Sequence, residues 1–127
     1  MKELNITIKG RPISKKNSQR IVVNPKTKRP FILPSEKFEL YQEEAGWHIK
    51  GKYLKLNGRY NVKCVYYMPT HHRVDLCNLL EATCDILVHY GVLEDDKSSI
   101  VAGHDGSRVC YSKDNPRVEI TITELED

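Results

Sequence analysis

Seven carboxylates in the C-terminal half are spaced as a divalent-cation site would need: Asp75, Glu81 and Asp85, then the run Glu94-Asp95-Asp96, then Asp105. Magnesium is a hard cation that takes oxygen ligands, usually one or two carboxylates completed by water and a substrate phosphate. In phosphodiester hydrolysis such ions, often two at roughly 3.5–4 Å, orient a water and neutralise the leaving oxygen. The plain alternative is a solvated helix face on which Asp75 merely caps. Against it, Glu81 and Asp85 are like charges four residues apart, which destabilises a helix unless a cation neutralises them. That helix face itself holds no Lys or Arg.

The elements that must position these groups follow from periodicity. Residues 3–9 alternate as a half-buried strand, and residues 21–33 read as a hairpin whose tip, residues 24–30, is basic. Pro34-Ser35-Glu36 starts a helix with Ser35 as N-cap, running to about Lys50 with Phe38, Tyr41, Ala45 and His48 inward and Gly51 closing it. Tyr60 to Met68 is a strong strand, with Tyr66, Tyr67 and Met68 read as core. A second helix spans about 76–90, with Leu76, Leu79, Leu80, Thr83, Ile86, Leu87 and Tyr90 on its apolar face and Asp75, Asn78, Glu81, Ala82, Asp85 and His89 opposite. Asp75 is placed to be the N-cap, and Gly91 supplies the left-handed residue that ends the helix. Val92-Leu93 turns back to the core. Ser99–Gly103 and Val109–Tyr111 read as partner strands around an Asp105-Gly106 turn, and Val118–Leu125 is the last strand.

The 127-residue chain is the length of one domain, 1–127, with 39% hydrophobic and 29% charged residues. No apolar run is long enough for a membrane helix and the N-terminus has no secretion signal, so the expected location is cytoplasmic. Cys64, Cys77, Cys84 and Cys110 are read as reduced thiols rather than disulfides. A zinc site from Cys77, Cys84, His71 and His72 matches no standard ligand spacing. Residues 1–63 carry fifteen Lys/Arg against five Asp/Glu, a net of +10, whereas residues 64–127 carry five against twelve, a net of −7. Such asymmetry points to nucleic acid, with one half contacting phosphates and the other presenting carboxylates. Lys15, Lys16, Arg20, Lys26, Lys28 and Arg29 are the candidate phosphate contacts, and Arg73, two residues from Asp75, could hold a scissile phosphate. His71 and His72 read as ordinary loop histidines.

Arg73-Val74-Asp75-Leu76-Cys77-Asn78-Leu79, then Asp85, then Gly91-Val92-Leu93-Glu94-Asp95-Asp96, resembles the signature of the RusA family of Holliday junction resolvases. Pro12-Ile13-Ser14-Lys15-Lys16-Asn17 is similar to its N-terminal loop and Arg117–Ile122 to its closing strand. The resemblance implies a compact α+β domain with a mixed sheet and two main helices, working as a homodimer. It implies a magnesium-dependent endodeoxyribonuclease, with manganese an expected substitute. This enzyme would resolve four-way DNA junctions by paired symmetric nicks in recombination and repair, in a prophage setting. By it, Asp75 and Asp96 are metal-binding catalytic carboxylates, Asp95 stands beside them, Asp85 is a further acidic site residue, and Asn78 orients a ligand or water.

Two positions depart from the pattern. Cys77 stands where the family has a second Asp, and Glu81 where a helix Lys is found. Glu81 lies about 40° from Cys77 around an ideal helix and could supply the missing carboxylate as a catalytic, metal-binding group. A hard magnesium ion gains little from a thiolate, so Cys77 is not read as a ligand. The competing readings are an inactive DNA-binding module in which Cys77 marks a decayed site, and a structural or partner-binding phage protein that touches no nucleic acid.

Overall fold

A computed structural model describes residues 3–15, 20–33 and 36–126, with the side chains of 20–22 and 31–33 left aside. Lys16 and the expected N-cap Ser35 lie outside the described residues, as does the side chain of Arg20. Along the chain run β1 (Glu3–Lys9), β2 (Arg20–Val23), β3 (Pro30–Leu33), α1 (Glu36–Ile49), β4 (Tyr60–Met68), α2 (Leu76–His89), β5 (Val101–Gly103), β6 (Arg108–Tyr111) and β7 (Arg117–Glu124).

The period-2 pattern of the long strands fixes which face of the sheet is buried. β7 lies antiparallel between β1 and β4, in a register that sets Ile6, Ile120 and Cys64 in one row and Ile8, Val118 and Tyr66 in the next. All six are at most 3% exposed, so a one-residue slip would carry the whole apolar set to solvent. Both helices close over this face, α1 through Phe38, Tyr41, Ala45 and Ile49 and α2 through Leu79, Ala82, Ile86 and Leu87. The result is one α+β domain with a mixed sheet and two helices. β2 and β3 form a separate two-stranded hairpin, as the sequence suggested, with Lys26, Lys28 and Arg29 exposed at its tip.

The packing corrects three expectations. Ile49, not His48, is the last buried position of α1, because positions 38, 41, 45 and 49 form the inward stripe. On α2, Ala82 is buried while Leu76 and Leu80 are only half-buried. The helix is therefore rolled toward its smallest side chain, which lets its backbone approach the sheet and frees Leu80 to line a pocket. The third correction concerns β5 and β6, which do not pair with each other. Both run parallel to β4 and lie end to end on one edge of it, β5 beside Tyr60-Asn61 and β6 beside Val65–Met68. Between them side chains complete the ladder: Asn61 with the backbone of Asp105 in both directions, His104 Nδ1 with the Val62 carbonyl at 2.7 Å, and Ser107 Oγ with the Cys64 N–H at 2.9 Å.

Two polar ties lock the helices in place. The Tyr66 hydroxyl meets Thr83 Oγ1 at 2.7 Å inside the core, joining β4 to α2. The Tyr90 hydroxyl donates to the Gln42 carbonyl at 2.7 Å, joining the end of α2 to α1. The second tie explains Gly46, where a Cβ would stand 2.8 Å from the Tyr90 ring.

Candidate active site

Asp75 occupies the N-cap position of α2, with φ −94° and ψ 119°, but its side chain makes no capping hydrogen bond. Only its carbonyl serves the helix, accepting from the N–H groups of Asn78 and Leu79. An Asp at this position ordinarily spends its oxygen on a free N–H of the first turn. Here the carboxylate is turned instead toward Arg73, whose Nε lies 3.7 Å from Oδ1, and Asn78, whose Nδ2 is 3.4 Å from Oδ2. Asp75 is half exposed and Arg73 almost fully so, which leaves this pair weak and able to exchange partners.

One pocket forms along the side of α2. Cys77, Leu80, Glu81 and Cys84 line it from successive turns, Asp96 and Ser98 from the following loop, and Val101 and His104 from the edge beside β4. The loop is placed by backbone hydrogen bonds. Gly91 turns the chain at φ +73°, and the 91–94 segment is then stitched to Lys55 and Leu56 through Lys55 N to Gly91 O, Leu56 N to Val92 O and Glu94 N to Leu56 O. Val92 and Leu93 are fully buried and anchor it, so Asp95 and Asp96 emerge at a fixed place. The Asp96 N–H donates to Asp95 Oδ1 at 2.7 Å.

Asp96 also borders a second pocket with Lys15, Phe38, Asp85 and His89. Lys15 Nζ lies 3.3 Å from Asp85 Oδ2 and 5.3 Å from the centre of the Phe38 ring. The cation that the helix lacks therefore comes from the N-terminal loop. The Asp96 pKa is raised above the usual carboxylate value by desolvation, by its hydrogen bonding with Asp95, and by the charges of Asp85 and Asp95. Because Asp96 is exposed, the neighbouring carboxylates are the cause with the clearest structural basis. Burial pushes the Cys84 thiol up to about 12, so it enters the pocket as a neutral group.

The structure thus brings Glu81 and Asp96 together with Cys77, sets Asp85 and Asp95 on the flanks of Asp96, and leaves Asp75 apart with Arg73. Among the described residues no three His, Cys, Asp or Glu side chains converge closely enough to hold a metal. Like charges repel, and Lys15 and Arg73 attract Asp85 and Asp75 away from a common centre. The zinc alternative is not assembled either: Cys77 and Cys84 line one pocket, whereas His71 and His72 line another, where His71 stacks on Tyr111 at 4.0 Å.

A further pocket gathers Arg11, Lys37, His72 and Arg73 beside the buried Ser14. Arg11 and Lys37 were not singled out from the sequence, since single basic residues there carry no motif. Only the packing of the 11–14 loop and the first turn of α1 beside residues 72–74 brings them to Arg73. Ser98 and His104 were missed for the same reason.

Fold and site together define a class: an α+β domain with carboxylates gathered along one helix and the loop after it, a lysine of the N-terminal loop beside them, and an arginine of the strand-to-helix turn in a separate pocket. The family model described as endodeoxyribonuclease RusA matches residues 5–123, nearly the whole chain, from β1 to β7. The chain belongs to this family of endodeoxyribonucleases. Among curated proteins none matches it. No helix among the described residues is long and apolar enough to cross a membrane.

Proposed function

We propose that this protein is an active, magnesium-dependent endodeoxyribonuclease that resolves four-way DNA junctions as a homodimer in the cytoplasm, serving recombination and repair. The observation that carries the reading is the set of carboxylates around Asp96, together with an Asp75 side chain that its helix does not use. After desolvation and hydrogen bonding with Asp95, the charges of Asp85 and Asp95 add to the raising of the Asp96 pKa, and a divalent cation would relieve that crowding of carboxylates. The donors fit a hydrated hard cation held by one or two carboxylates and do not form a closed cage. Asp96 and Glu81 would hold it, with Asp75, Asp95 and Asp85 contributing as Arg73 and Lys15 turn to DNA phosphate. When bound, the ion supplies charge neutralisation at the phosphate and a more acidic water.

The remaining work falls to side chains of the protein. Arg73, with Arg11 and Lys37 beside it, would bind the phosphate entering the site, and Asn78 would keep Asp75 oriented. Lys15, Lys16, Arg20 and the hairpin tip would bind neighbouring phosphates of the arms. Cys77 lines the pocket without serving as a ligand, and Glu81 on the same wall supplies the carboxylate in its place. Cleavage of a synthetic four-way junction, with and without magnesium, tests the proposal. Wild-type protein is expected to nick opposite strands symmetrically, and Asp96→Asn and Asp75→Asn to bind the junction without cutting it. Cutting in EDTA, or undiminished cutting by both variants, would refute it. An inactive wild type that gained activity through Cys77→Asp would establish the decayed-site reading instead.

A further inference from the structure

Among the described residues lining this pocket His104 is the only imidazole, and its hydrogen bonding fixes which nitrogen it offers. The Val62 carbonyl, 2.7 Å from Nδ1, can only accept, so Nδ1 carries the ring proton and the neutral imidazole leaves Nε2 as a bare acceptor. Among the described residues Nε2 has no hydrogen-bond partner, and no buried side-chain nitrogen or oxygen lacks one, so Nε2 is open to solvent. The ring lines the same pocket as Glu81 and Asp96. The pocket's other polar groups are Glu81 and Asp96, which would be occupied by the cation, the Cys77 and Cys84 thiols, of which Cys84 is neutral and buried, and the Ser98 hydroxyl.

Resting on the nuclease reading above, we propose that His104 Nε2 is the proton acceptor for the attacking water in phosphodiester hydrolysis. As the water oxygen bonds to phosphorus, its proton passes to Nε2 and the phosphorus–oxygen bond to the leaving sugar breaks. The leaving oxygen takes a proton from solvent, and the imidazolium returns its own to solvent. The Val62 carbonyl holds the ring in one tautomer, the usual arrangement for a histidine that must present a defined nitrogen.

The competing role is structural, because the same hydrogen bond fills the gap between β5 and β6 on the β4 edge. His104→Asn separates the two. The Asn amide nitrogen can take the place of Nδ1 and keep the bond to Val62, but nothing replaces Nε2. The expected result is an unchanged melting temperature, unchanged junction affinity, and a turnover lowered by about 10²–10⁴-fold, the usual worth of a general base. In His104→Ala, added imidazole should restore part of the turnover. Independently of activity, nitrogen NMR shifts of neutral His104 should report a proton on Nδ1 and none on Nε2. Wild-type turnover in His104→Asn, or a proton on Nε2, overturns the proposal while the nuclease reading stands. A wild-type protein that cuts no junction at all removes both.

Discussion

Thr83→Val offers a sharp test of how α2, and the pocket on its flank, is held to the sheet. Tyr66 is 1% exposed and Thr83 3% exposed, and their hydroxyl oxygens are 2.7 Å apart. Thr83 Oγ1 donates to the Leu79 carbonyl at 3.0 Å, so the shared hydrogen must be that of Tyr66. Valine keeps the shape of threonine but removes the acceptor, stranding a buried phenolic O–H. An unsatisfied buried donor costs about 1–3 kcal/mol. The Cys64 thiol beside the Tyr66 hydroxyl is a weak acceptor that recovers part of this, so about 1–2 kcal/mol is expected. For a chain of this size that lowers the melting temperature by about 4–10 °C. Tyr66→Phe removes the donor itself and leaves Thr83 bonded to Leu79, costing about 0.5–1.5 kcal/mol. In the Tyr66→Phe background the further change Thr83→Val should then cost less than about 0.5 kcal/mol, since no donor is stranded. Thermal or urea unfolding of the four proteins measures the cycle. Equal costs of Thr83→Val in the two backgrounds would refute the reasoning.

Two further outcomes follow from charge and burial. Replacing Lys26, Lys28 and Arg29 at the exposed hairpin tip by Ala should weaken junction binding and flatten its logarithmic salt dependence by about 0.9 per lost phosphate contact; an unchanged slope in a binding titration would remove the hairpin from the interface. Burial pushes the Cys64 and Cys84 thiols up to about 12, so the unfolded chain ionises first, and stability present below about pH 8.5 should decline as pH rises toward 12, by up to about 1.4 kcal/mol per pH unit for each thiol. Urea midpoints from pH 8 to 10 read this decline, which Cys84→Ala should lessen, and a flat profile would contradict it.

Much of this molecule was legible in the sequence because the relevant forces are local or periodic. Alternation marked β1, β4 and β7, and the positions of Asp75 and Gly91 marked the ends of α2, although the Asp75 side chain does not cap it. The spacing of Arg73, Asp75, Asn78, Asp85 and Asp96 carried the family likeness that the family model bears out. What local pattern could not supply was contact between distant segments. The roll of α2 toward Ala82 depends on how closely a small side chain lets a helix approach a sheet. The end-to-end placement of β5 and β6 depends on β4 offering one long edge, which neither short strand reveals alone. The partner of Asp85 comes from Lys15, seventy residues away in sequence. His104 gains its meaning only from the Val62 carbonyl and the opposite pocket wall. Sequence by itself determined the elements, the family and the supply of carboxylates, because these are written in residue type and spacing. Which carboxylates share a pocket, and which cation or base stands beside them, was decided only by the tertiary structure, because packing sets distances and electrostatic and hydrogen-bonding effects depend on distance.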